Sequence, residues 1–419
     1  AYEISVGDWS SDVCSSDLAR FAEILADHNL GFIGPKAEHI RLMGDKIEAK
    51  KTAKRLGIPV VPGSDGAVTS ETDALAIGKE IGFPVFVKAV AGGGGRGMKV
   101  AVDEAALEVA FRTARSEAKA AFGNDEVYLE KYLQRPRHIE IQVFGDGKGG
   151  AVHLGERDCS LQRRHQKVIE EAPAPLLTGL AHGAELRERL GRAAVDAAVS
   201  VGYRGAGTVE FLVSDENPDE FFFMEMNTRL QVEHPVTEEV FGVDLVREQF
   251  RVAAGEPLSI PEDPTARGHA LEFRLNAEDP AYGFLPVPGP IDAFEAPTGP
   301  GVRMDSGVRT GSVVPGEYDS LLAKLIVWGE DRAQAIARAR DALAELRIDG
   351  VPTVVPFHRA VLEQDAFTSG DRLGVYTTWI ESEFAEPLAE SPYLGAEVPA
   401  GGRTAVTVEL DGRAVRLGL

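Results

Sequence analysis

Polar side chains recur at every second position near the middle of the chain: Glu225, Asn227, Arg229, Gln231 and Glu233. In an extended strand successive side chains point to opposite faces, so this row would share one face. The opposite face would carry the apolar residues Met224, Met226, Leu230 and Val232. Carboxylate and amide oxygens suit Mg²⁺, and a guanidinium fork suits a small planar anion. The row therefore predicts a metal and anion site, although a half-buried strand with a solvated polar face has the same pattern.

A second predicted strand, residues 208–213, ends just before a segment rich in turn residues. If the two strands form a hairpin about Asn217, Glu210 lies opposite Met224 or Glu225. Two carboxylates side by side destabilise a sheet unless a cation lies between them. The sequence therefore predicts a divalent metal that bridges Glu210 and Glu225, with two solvent-facing carboxylates as the alternative.

A glycine-rich segment, residues 92–97, connects a predicted strand that contains Lys88 to another at 98–102. The glycines of dinucleotide-binding and P-loop motifs join a strand to a helix, so neither motif fits. A glycine hairpin is flexible and lets backbone N–H groups approach phosphate oxygens closely. The segment predicts a lid over a nucleotide, with a plain surface hairpin as the alternative.

The most basic segment of the chain is residues 159–167. In extended form Arg163, His165 and Lys167 would share a face, which suits a polyphosphate but also fits a solvated basic strand. Lys46 follows a predicted helix break, and its spacing alone predicts a solvated helix lysine.

The rest of the chain mixes helices and strands, which is typical of an α/β (α+β) fold. Predicted helices cover residues 19–28, 37–56 with a break at 44–45, 103–122, 185–201 and 331–346. Predicted strands cover residues 31–35, 85–89, 127–133, 138–144, 151–154 and 268–275. Proline-rich linkers are predicted at 257–264 and 387–402.

The chain of 419 residues is long enough for two or three domains, and its 44 basic and 66 acidic residues give a net charge of −22. Nucleic acid and anionic membrane surfaces are therefore poor partners. No apolar run could span a bilayer, and no signal-peptide pattern is present. The two cysteines, Cys14 and Cys159, predict neither a disulfide framework nor a metal cluster. These features predict a cytoplasmic protein.

Both ends of the chain suggest that a part is missing. Residues 6–18 are rich in serine and aspartate, lack a helical or strand period, and resemble a translated sequencing adapter. We therefore expect residues 1–18 to be a foreign or disordered segment. A predicted hairpin at the extreme C-terminus has nothing after it to pack on, which predicts that another domain follows in the full-length protein.

Four segments resemble the biotin carboxylase family: Lys88 with its glycine loop, and residues 130–133, 163–167 and 225–235. The resemblance runs from about Ala19 to about Ile380. It implies the ATP-grasp fold with a glycine-rich β-hairpin lid, a C-terminal biotin carboxylase domain, and an N-terminal nucleotide-fold domain that is largely missing. The implied parts are a remnant of that N-terminal domain at 19–44, an ATP-grasp domain at 45–256, a C-terminal domain at 266–380, and a linker with the start of a following domain at 387–419.

The resemblance also implies a role for each matched position. ATP phosphates, ribose or carboxyphosphate would be contacted by Lys46, Lys88, His138, His165 and Lys167. The lid would contain Gly94 and Gly95, and adenine would be held by Glu130, Lys131 and Leu133. The ligands of Mg²⁺ or Mn²⁺ would be Glu210, Glu225 and Asn227. Bicarbonate would lie against Arg229, Gln231 and Val232, with Glu233 as general base and Arg303 beside the biotin enolate. The catalytic group would thus be Arg229, Glu233, Lys167 and Arg303.

The implied reaction is the ATP-dependent carboxylation of biotin by bicarbonate through carboxyphosphate, which is the first half-reaction of an acyl-CoA carboxylase. The sequence has no biotin-attachment motif, so biotin would arrive on a biotin carboxyl carrier domain. A carboxyltransferase subunit, and a homodimer of the full-length chain, are the other implied partners. The alternatives are another ATP-grasp ligase that joins a carboxylate to an amine, and an inactive nucleotide-binding fragment.

Overall fold

The computed structural model describes residues 18–90, 98–214, 217–261, 264–369 and 374–394, and the backbone of strands at 405–410 and 413–418. Its first part contains five helices: α1 (Ala19–Asp27), α2 (Ala37–Gly44), α3 (Lys46–Arg55), α4 (Glu71–Ile81) and α5 (Glu104–Phe122). Three strands form an antiparallel sheet of order β2-β1-β3: β1 (Val85–Ala89), β2 (Met98–Ala101) and β3 (Val127–Lys131). Apolar residues of α4 and α5 pack on this sheet and form its core.

The middle of the chain contributes five longer strands: β4 (Arg137–Asp146), β5 (Ala151–Arg163), β6 (Gln166–Ala172), β7 (Arg204–Val213) and β8 (Phe221–Asn227). Its helices are α6 (Pro175–Gly179), α7 (Gly183–Ser200), α8 (His234–Phe241) and α9 (Leu245–Ala253). Leu186, Leu190 and Ala194 lie at helical spacing on α7 and share a core with Ile139 and Ile141 of β4. Because strand side chains alternate, the other face of β4 is left for polar residues.

The last part of the chain adds nine short or medium strands: β9 (His269–Asn276), β10 (Glu278–Asp279), β11 (Leu285–Pro286), β12 (Gly289–Pro290), β13 (Ala293–Glu295), β14 (Val302–Ser306), β15 (Val313–Val314), β16 (Leu321–Gly329) and β17 (Arg347–Asp349). The helices are α10 (Arg332–Glu345), α11 (Val355–Val361), α12 (Asp365–Thr368) and α13 (Ala385–Ala389), and a hairpin of β18 (Ala405–Leu410) and β19 (Arg413–Gly418) follows. Within the described ranges, no helix is both long and apolar enough to cross a membrane.

One antiparallel sheet of eight strands joins the two halves of the chain, in the order β14-β16-β9-β6-β5-β4-β7-β8. The pairing of β6 with β9 is the link between them. Residues that are far apart in sequence therefore lie on one continuous surface.

Helix ends follow the sequence signals. The Asp45 carboxylate accepts hydrogen bonds from Ile47 N and Glu48 N at 2.9 Å, which begins α3 and confirms the predicted break between two helices. Asp331 likewise accepts from Gln334 N at 2.8 Å at the start of α10. A cap of this type stabilises a helix by about 1 kcal/mol.

The predicted strand at residues 31–35 is wrong. Among the described residues no strand pairs with this segment, and Ile33 is 40% exposed. Its carbonyl groups are instead bound by a side chain, because Arg204 donates from Nε to Gly34 O at 2.8 Å and from Nη2 to Phe32 O at 3.2 Å. The strand predicted at 151–154, in contrast, exists and extends to Arg163.

Alanine in place of Gly268, just before β9, is expected to destabilise the protein. Gly268 has φ +69°, and a Cβ atom there would lie 2.2 Å from Gly329 O. Strain and overlap together should lower the free energy of unfolding by about 1–3 kcal/mol, measured by urea denaturation. Gly311→Ala is the control, because Gly311 also has positive φ (+86°) but open space around it. Equal losses in both variants would show that the contact with Gly329 is unimportant.

Candidate active site

A cavity of about 290 Å³ is lined by strands of both sheets. It contains most of the predicted site residues: Lys46, Lys88, Glu130, Leu133, His138, His165, Lys167, Glu210, Glu225, Asn227, Arg229, Gln231, Val232 and Glu233. Lys131 does not line it, because its Nζ donates to the carbonyl groups of Gly82 and Phe83 at 2.8 and 3.0 Å. Gly94 and Gly95 lie outside the described residues.

The hairpin register places Glu210 directly opposite Glu225, one of the two predicted alternatives. The register shifts between Glu210 and Phe211, so that Met224 is an extra residue in β8. This β-bulge reverses the alternation, and Met224 lines the cavity together with Glu225 instead of sharing the opposite face with Met226. The prediction for Met224 is therefore wrong.

The extended row predicted from Glu225 to Glu233 ends early. Strand β8 stops at Asn227, and the chain then turns until α8 begins at His234. Arg229, Gln231 and Glu233 still reach the cavity, but from a turn that folds back over the sheet.

Charged residues lie in register across four neighbouring strands: Arg157 of β5, Glu140 of β4, Glu210 of β7 and Glu225 of β8. The Glu210 carboxylate accepts from Asn227 Nδ2 at 2.8 Å and from Gln231 Nε2 at 3.0 Å, and its Oε2 lies 3.1 Å from His138 Nε2. Burial acts to raise the pKa of Glu210, but the charges of Lys167 and His138 outweigh it and hold the pKa well below its ordinary value.

The side-chain oxygen atoms at and around Glu210 are suitable ligands for a divalent metal. Glu210, Glu225 and the Asn227 amide supply the oxygen ligands that Mg²⁺ prefers. The carboxylate of Glu225 has a nearby lysine, Lys46 Nζ at 3.3 Å, so Lys46 is not the solvated helix lysine that its spacing predicted. A second group of possible ligands, His138, Glu140 and Glu210, lies within 4.8 Å.

Lys167 is the centre of the charged network. Its Nζ lies 2.5 Å from Glu140, 3.1 Å from Glu210 and 2.6 Å from Glu233. The other oxygen of Glu233 accepts from Arg274 Nη2 at 3.0 Å. Burial acts to raise the pKa of Glu233, but the charges of Lys167, Arg274 and Arg157 together hold it well below its ordinary value.

The far wall of the cavity carries a second set of charges. Glu130 accepts from Lys88 Nζ at 2.6 Å and also from Lys50 Nζ. Burial opposes ionisation of Glu130, but the two lysines lower its pKa to about 2. Its side chain thus holds two cations that face the cavity.

The basic segment does not form one extended face. Arg164 and His165 have φ of +49° and +67° in a turn between β5 and β6. This turn directs His165 and Lys167 into the cavity but sends Arg163 elsewhere: its Nη2 donates to Gly283 O at 2.6 Å. The predicted common face is wrong for Arg163, because two left-handed residues break the alternation.

Arg303 also lies outside the cavity. It donates from Nη1 to Glu238 at 2.9 Å and to Glu239 at 3.2 Å, and from Nε to Asp305 at 2.8 Å. It is nevertheless connected to the predicted bicarbonate site, because Lys324 Nζ lies 3.9 Å from Asp305 and donates to Val232 O at 2.8 Å.

Sequence reasoning missed several residues of the site: Lys50, Glu140, Arg157, Gln162, Arg274, Thr377 and Thr378. Arg157 is fully buried and donates to Glu140 Oε1 at 2.5 Å and to Gln231 Oε1 at 3.2 Å. A signal for Glu140 existed, since it is an acid between two apolar residues, Ile139 and Ile141, of a predicted strand. Thr377 and Thr378 carried no such signal.

Two family models match the chain. Residues 45–261 match "Carbamoyl-phosphate synthase L chain, ATP binding domain", and residues 272–382 match "Biotin carboxylase C-terminal domain". The biotin carboxylase of Nostoc sp. is 54% identical over 357 residues, which cover 85% of this chain and 78% of the relative. The biotin-dependent acyl-coenzyme A carboxylase alpha3 subunit of Mycobacterium leprae is 48% identical over 405 residues, 96% of this chain and 66% of the relative.

Solved structures agree with the sequence relatives. The biotin carboxylase of Campylobacter jejuni, solved as a β-γ-ATP complex, is 48% identical and superimposes with a TM-score of 0.83 over 88% of this chain and 80% of that chain. The biotin carboxylase domain of Hydrogenobacter thermophilus 2-oxoglutarate carboxylase, a dimer with MgADP and bicarbonate, is 44% identical with a TM-score of 0.83 over 89% of this chain and 80% of that chain. These matches confirm the predicted ATP-grasp fold and the resemblance. The chain therefore belongs to the biotin carboxylase family, the ligases that use ATP to carboxylate biotin.

Proposed function

We propose that this cavity activates bicarbonate with ATP and delivers the carboxyl group to biotin, with Glu233 as the general base. The observation that carries the proposal is the position of Glu233. Its carboxylate is buried and charged, and it is held between Lys167 at 2.6 Å and Arg274 at 3.0 Å. Bicarbonate is a weak nucleophile until it loses its proton, and a fixed carboxylate is suited to remove that proton.

The proposed bicarbonate site is the turn between β8 and α8. Arg229, Gln231 and Val232 lie on this turn and line the same cavity as Glu233. Arg157 donates to Gln231 Oε1 at 3.2 Å, which orients the Gln231 amide toward Glu210. A guanidinium and an amide in this position can bind a planar anion while Glu233 takes its proton.

ATP would lie along the rest of the cavity. Lys46, Lys88 and His165 would contact its phosphates. His138 and Gln162, which hydrogen-bond each other at 2.7 Å, also line the cavity and would contact the ribose. Glu130 and Leu133 would hold adenine. The roles implied for Lys131, which lies outside the cavity, and for the lid residues Gly94 and Gly95 stay predictions. Glu210, Glu225 and Asn227 would hold Mg²⁺, which offsets negative charge on the phosphate oxygens when it is bound.

We further propose that Arg303 faces the biotin. Support comes from the chain of contacts that runs from Arg303 through Asp305 and Lys324 to Val232 O, on the turn proposed to bind bicarbonate. The side chain of Arg303 is one third exposed. A positive group at this place could stabilise an enolate oxygen of biotin while CO₂ is transferred.

The proposal extends to the partners. The long match to an acyl-coenzyme A carboxylase alpha subunit supports a biotin carboxyl carrier domain and a carboxyltransferase subunit as partners. A relative solved as a dimer supports a homodimer of the full-length protein. We also propose the domain boundaries given above, at 19–44, 45–256, 266–380 and 387–419, and a location in the cytoplasm.

The test is ATP hydrolysis by the purified chain with Mg²⁺ and free biotin, in the presence and absence of bicarbonate. We expect turnover that requires bicarbonate and that carboxylates biotin, followed with radiolabelled bicarbonate. Turnover that is indifferent to bicarbonate would contradict the proposal and favour a ligase that joins a carboxylate to an amine. A folded chain that binds ATP without turnover would be an inactive fragment.

A further inference from the structure

Glu272 on β9 is a buried carboxylate without a hydrogen-bond partner among the described residues. It is 0% exposed, and both of its oxygens are unpartnered. A charged carboxylate in such a place loses its hydration without compensation, so the group is expected to be neutral or to share a proton. Strand β9 lies inside the eight-stranded sheet, between β16 and β6.

The residue directly opposite Glu272 is another buried glutamate, Glu170 of β6. Glu170 is also 0% exposed. Its Oε1 accepts from Arg274 Nε at 2.6 Å, whereas its Oε2 has no partner within the described part of the chain. Side chains directly opposite in an antiparallel pair lie about 4.5–5.5 Å apart at Cβ. Two buried carboxyl groups, with three unpartnered oxygens between them, therefore lie opposite one another on neighbouring strands.

The pair is connected to the active site through Arg274. This guanidinium donates from Nε to Glu170 at 2.6 Å and from Nη2 to Glu233 at 3.0 Å. Gain or loss of a proton on the Glu170 carboxylate would therefore shift Arg274, which holds the proposed general base Glu233. On the other neighbouring strand, Lys324 lies opposite Arg274 and donates to Val232 O at 2.8 Å.

We propose that Glu272 is a neutral carboxylic acid that shares its proton with Glu170, and that this shared proton positions Arg274 against Glu233. Glu272 is thus a positioning residue: it touches neither substrate nor metal. The positioning role rests on the proposed function, whereas the shared proton does not. Burial raises the pKa of Glu272 well above its ordinary value, and burial likewise raises the pKa of Glu170 to about 7, in agreement with a pair that holds one proton.

The groups that surround Glu272 are of few kinds. The charges that act on it are those of Lys324 on β16, Glu170 on β6, Arg274 on the same strand and Glu233 before α8. Helix α8 packs on this face of β9 and begins at His234, whereas α10, which carries Arg332, packs on the other face against Leu271 and Phe273. His234 is neutral at physiological pH, because burial lowers its pKa to about 3. Arg332 is bound to Glu171 at 2.7 Å, so Lys324 and Arg274 are the cations that act on the pair.

Infrared difference spectra of the folded chain test the shared proton directly. At neutral pH we expect the carbonyl-stretch band of a buried, protonated carboxylic acid, which Glu272→Gln removes. Glu330→Gln, an exposed glutamate in the same part of the chain, should leave the band unchanged. A band that survives both Glu272→Gln and Glu170→Gln would overturn the proposal, whatever the enzymatic activity of the chain.

Kinetics test the positioning role. Glutamine keeps a donor toward Glu170, whereas methionine has a similar size and no donor. Glu272→Met should raise the KM for bicarbonate by on the order of 10-fold, since small displacements of a positioned group are costly, and should change the KM for ATP much less. Glu272→Gln should raise it by no more than about one third of that factor. Equal effects of the two variants would show that the donor has no role.

If Glu272→Met fails to fold, the pH dependence of the KM for bicarbonate tests the positioning role instead. In the wild type the KM for bicarbonate should rise at alkaline pH, because the pair of Glu170 and Glu272 loses its proton. Glu272→Gln should lack this rise. A rise that persists in Glu272→Gln would contradict the positioning role of Glu272.

Discussion

Glutamine in place of Glu233 is expected to lower bicarbonate-dependent ATP hydrolysis by about 10²- to 10⁴-fold, the usual contribution of a positioned general base. The substitution keeps the size of the side chain and one acceptor oxygen, but the amide cannot take a proton from bicarbonate. Initial rates at saturating ATP and bicarbonate measure the effect. Glu345→Gln, an equal charge change at an exposed position of α10, is the control and should keep wild-type activity.

The pH dependence of the rate gives a second test of Glu233. Because nearby cations outweigh burial, its pKa lies well below its ordinary value, and the carboxylate stays charged throughout the neutral range. The acid limb of the wild-type profile that belongs to Glu233 should therefore lie below pH ~4.3, the ordinary glutamate pKa. Arg274→Met removes one of the cations and should move that limb to higher pH.

The outcome that would contradict Glu233 as the general base is a Glu233→Gln variant with more than about a tenth of wild-type activity, because another group would then accept the proton.

Methionine in place of Arg157 is expected to lower the free energy of unfolding by about 3–5 kcal/mol, the usual loss when one partner of a buried ion pair is removed. Arg157 is 0% exposed. Its guanidinium donates to four further groups besides Gln231, namely Glu140 at 2.5 Å, Gln142 at 2.7 Å, Thr237 at 3.0 Å and Thr208 at 3.1 Å. Removal leaves these buried acceptors unpaired, and each then costs its desolvation. Urea denaturation measures the loss.

Arg157→Lys separates charge from geometry. Lysine keeps the positive charge beside Glu140, but it cannot reproduce the planar fork that reaches both Thr208 and Thr237. We expect a stability between that of the wild type and that of the methionine variant, together with a higher KM for bicarbonate because Gln231 loses a partner. If the methionine variant is as stable as the wild type, the network contributes little to folding, as some buried ion pairs do.

Local patterns predicted the hairpin of β7 and β8 and its acidic pair. The turn-rich segment around Asn217 fixed where the chain reverses, and alternation then left two registers for Glu210. The choice between them was not local, because it depends on the bulge at Met224. The same limit explains the errors at Arg163 and at residues 31–35. An alternating pattern assumes an extended chain. It shows neither the left-handed turn at Arg164 and His165 nor whether another strand pairs with residues 31–35.

By itself the sequence determined the α/β class, the break before Lys46, the polar row from Glu225 to Glu233 and, through its motifs, the biotin carboxylase family. Only the tertiary structure decided which charges meet. Arg274 lies beside Glu170 because β6 pairs with β9 across about a hundred residues of chain. Lys167 meets Glu233 because the turn between β8 and α8 folds back over the sheet. Arg157, Glu140, Glu210 and Glu225 form one line only because four strands share a register. Side-chain chemistry is a property of single residues, whereas the pKa of each group and the site they build depend on neighbours that only sheet pairing supplies.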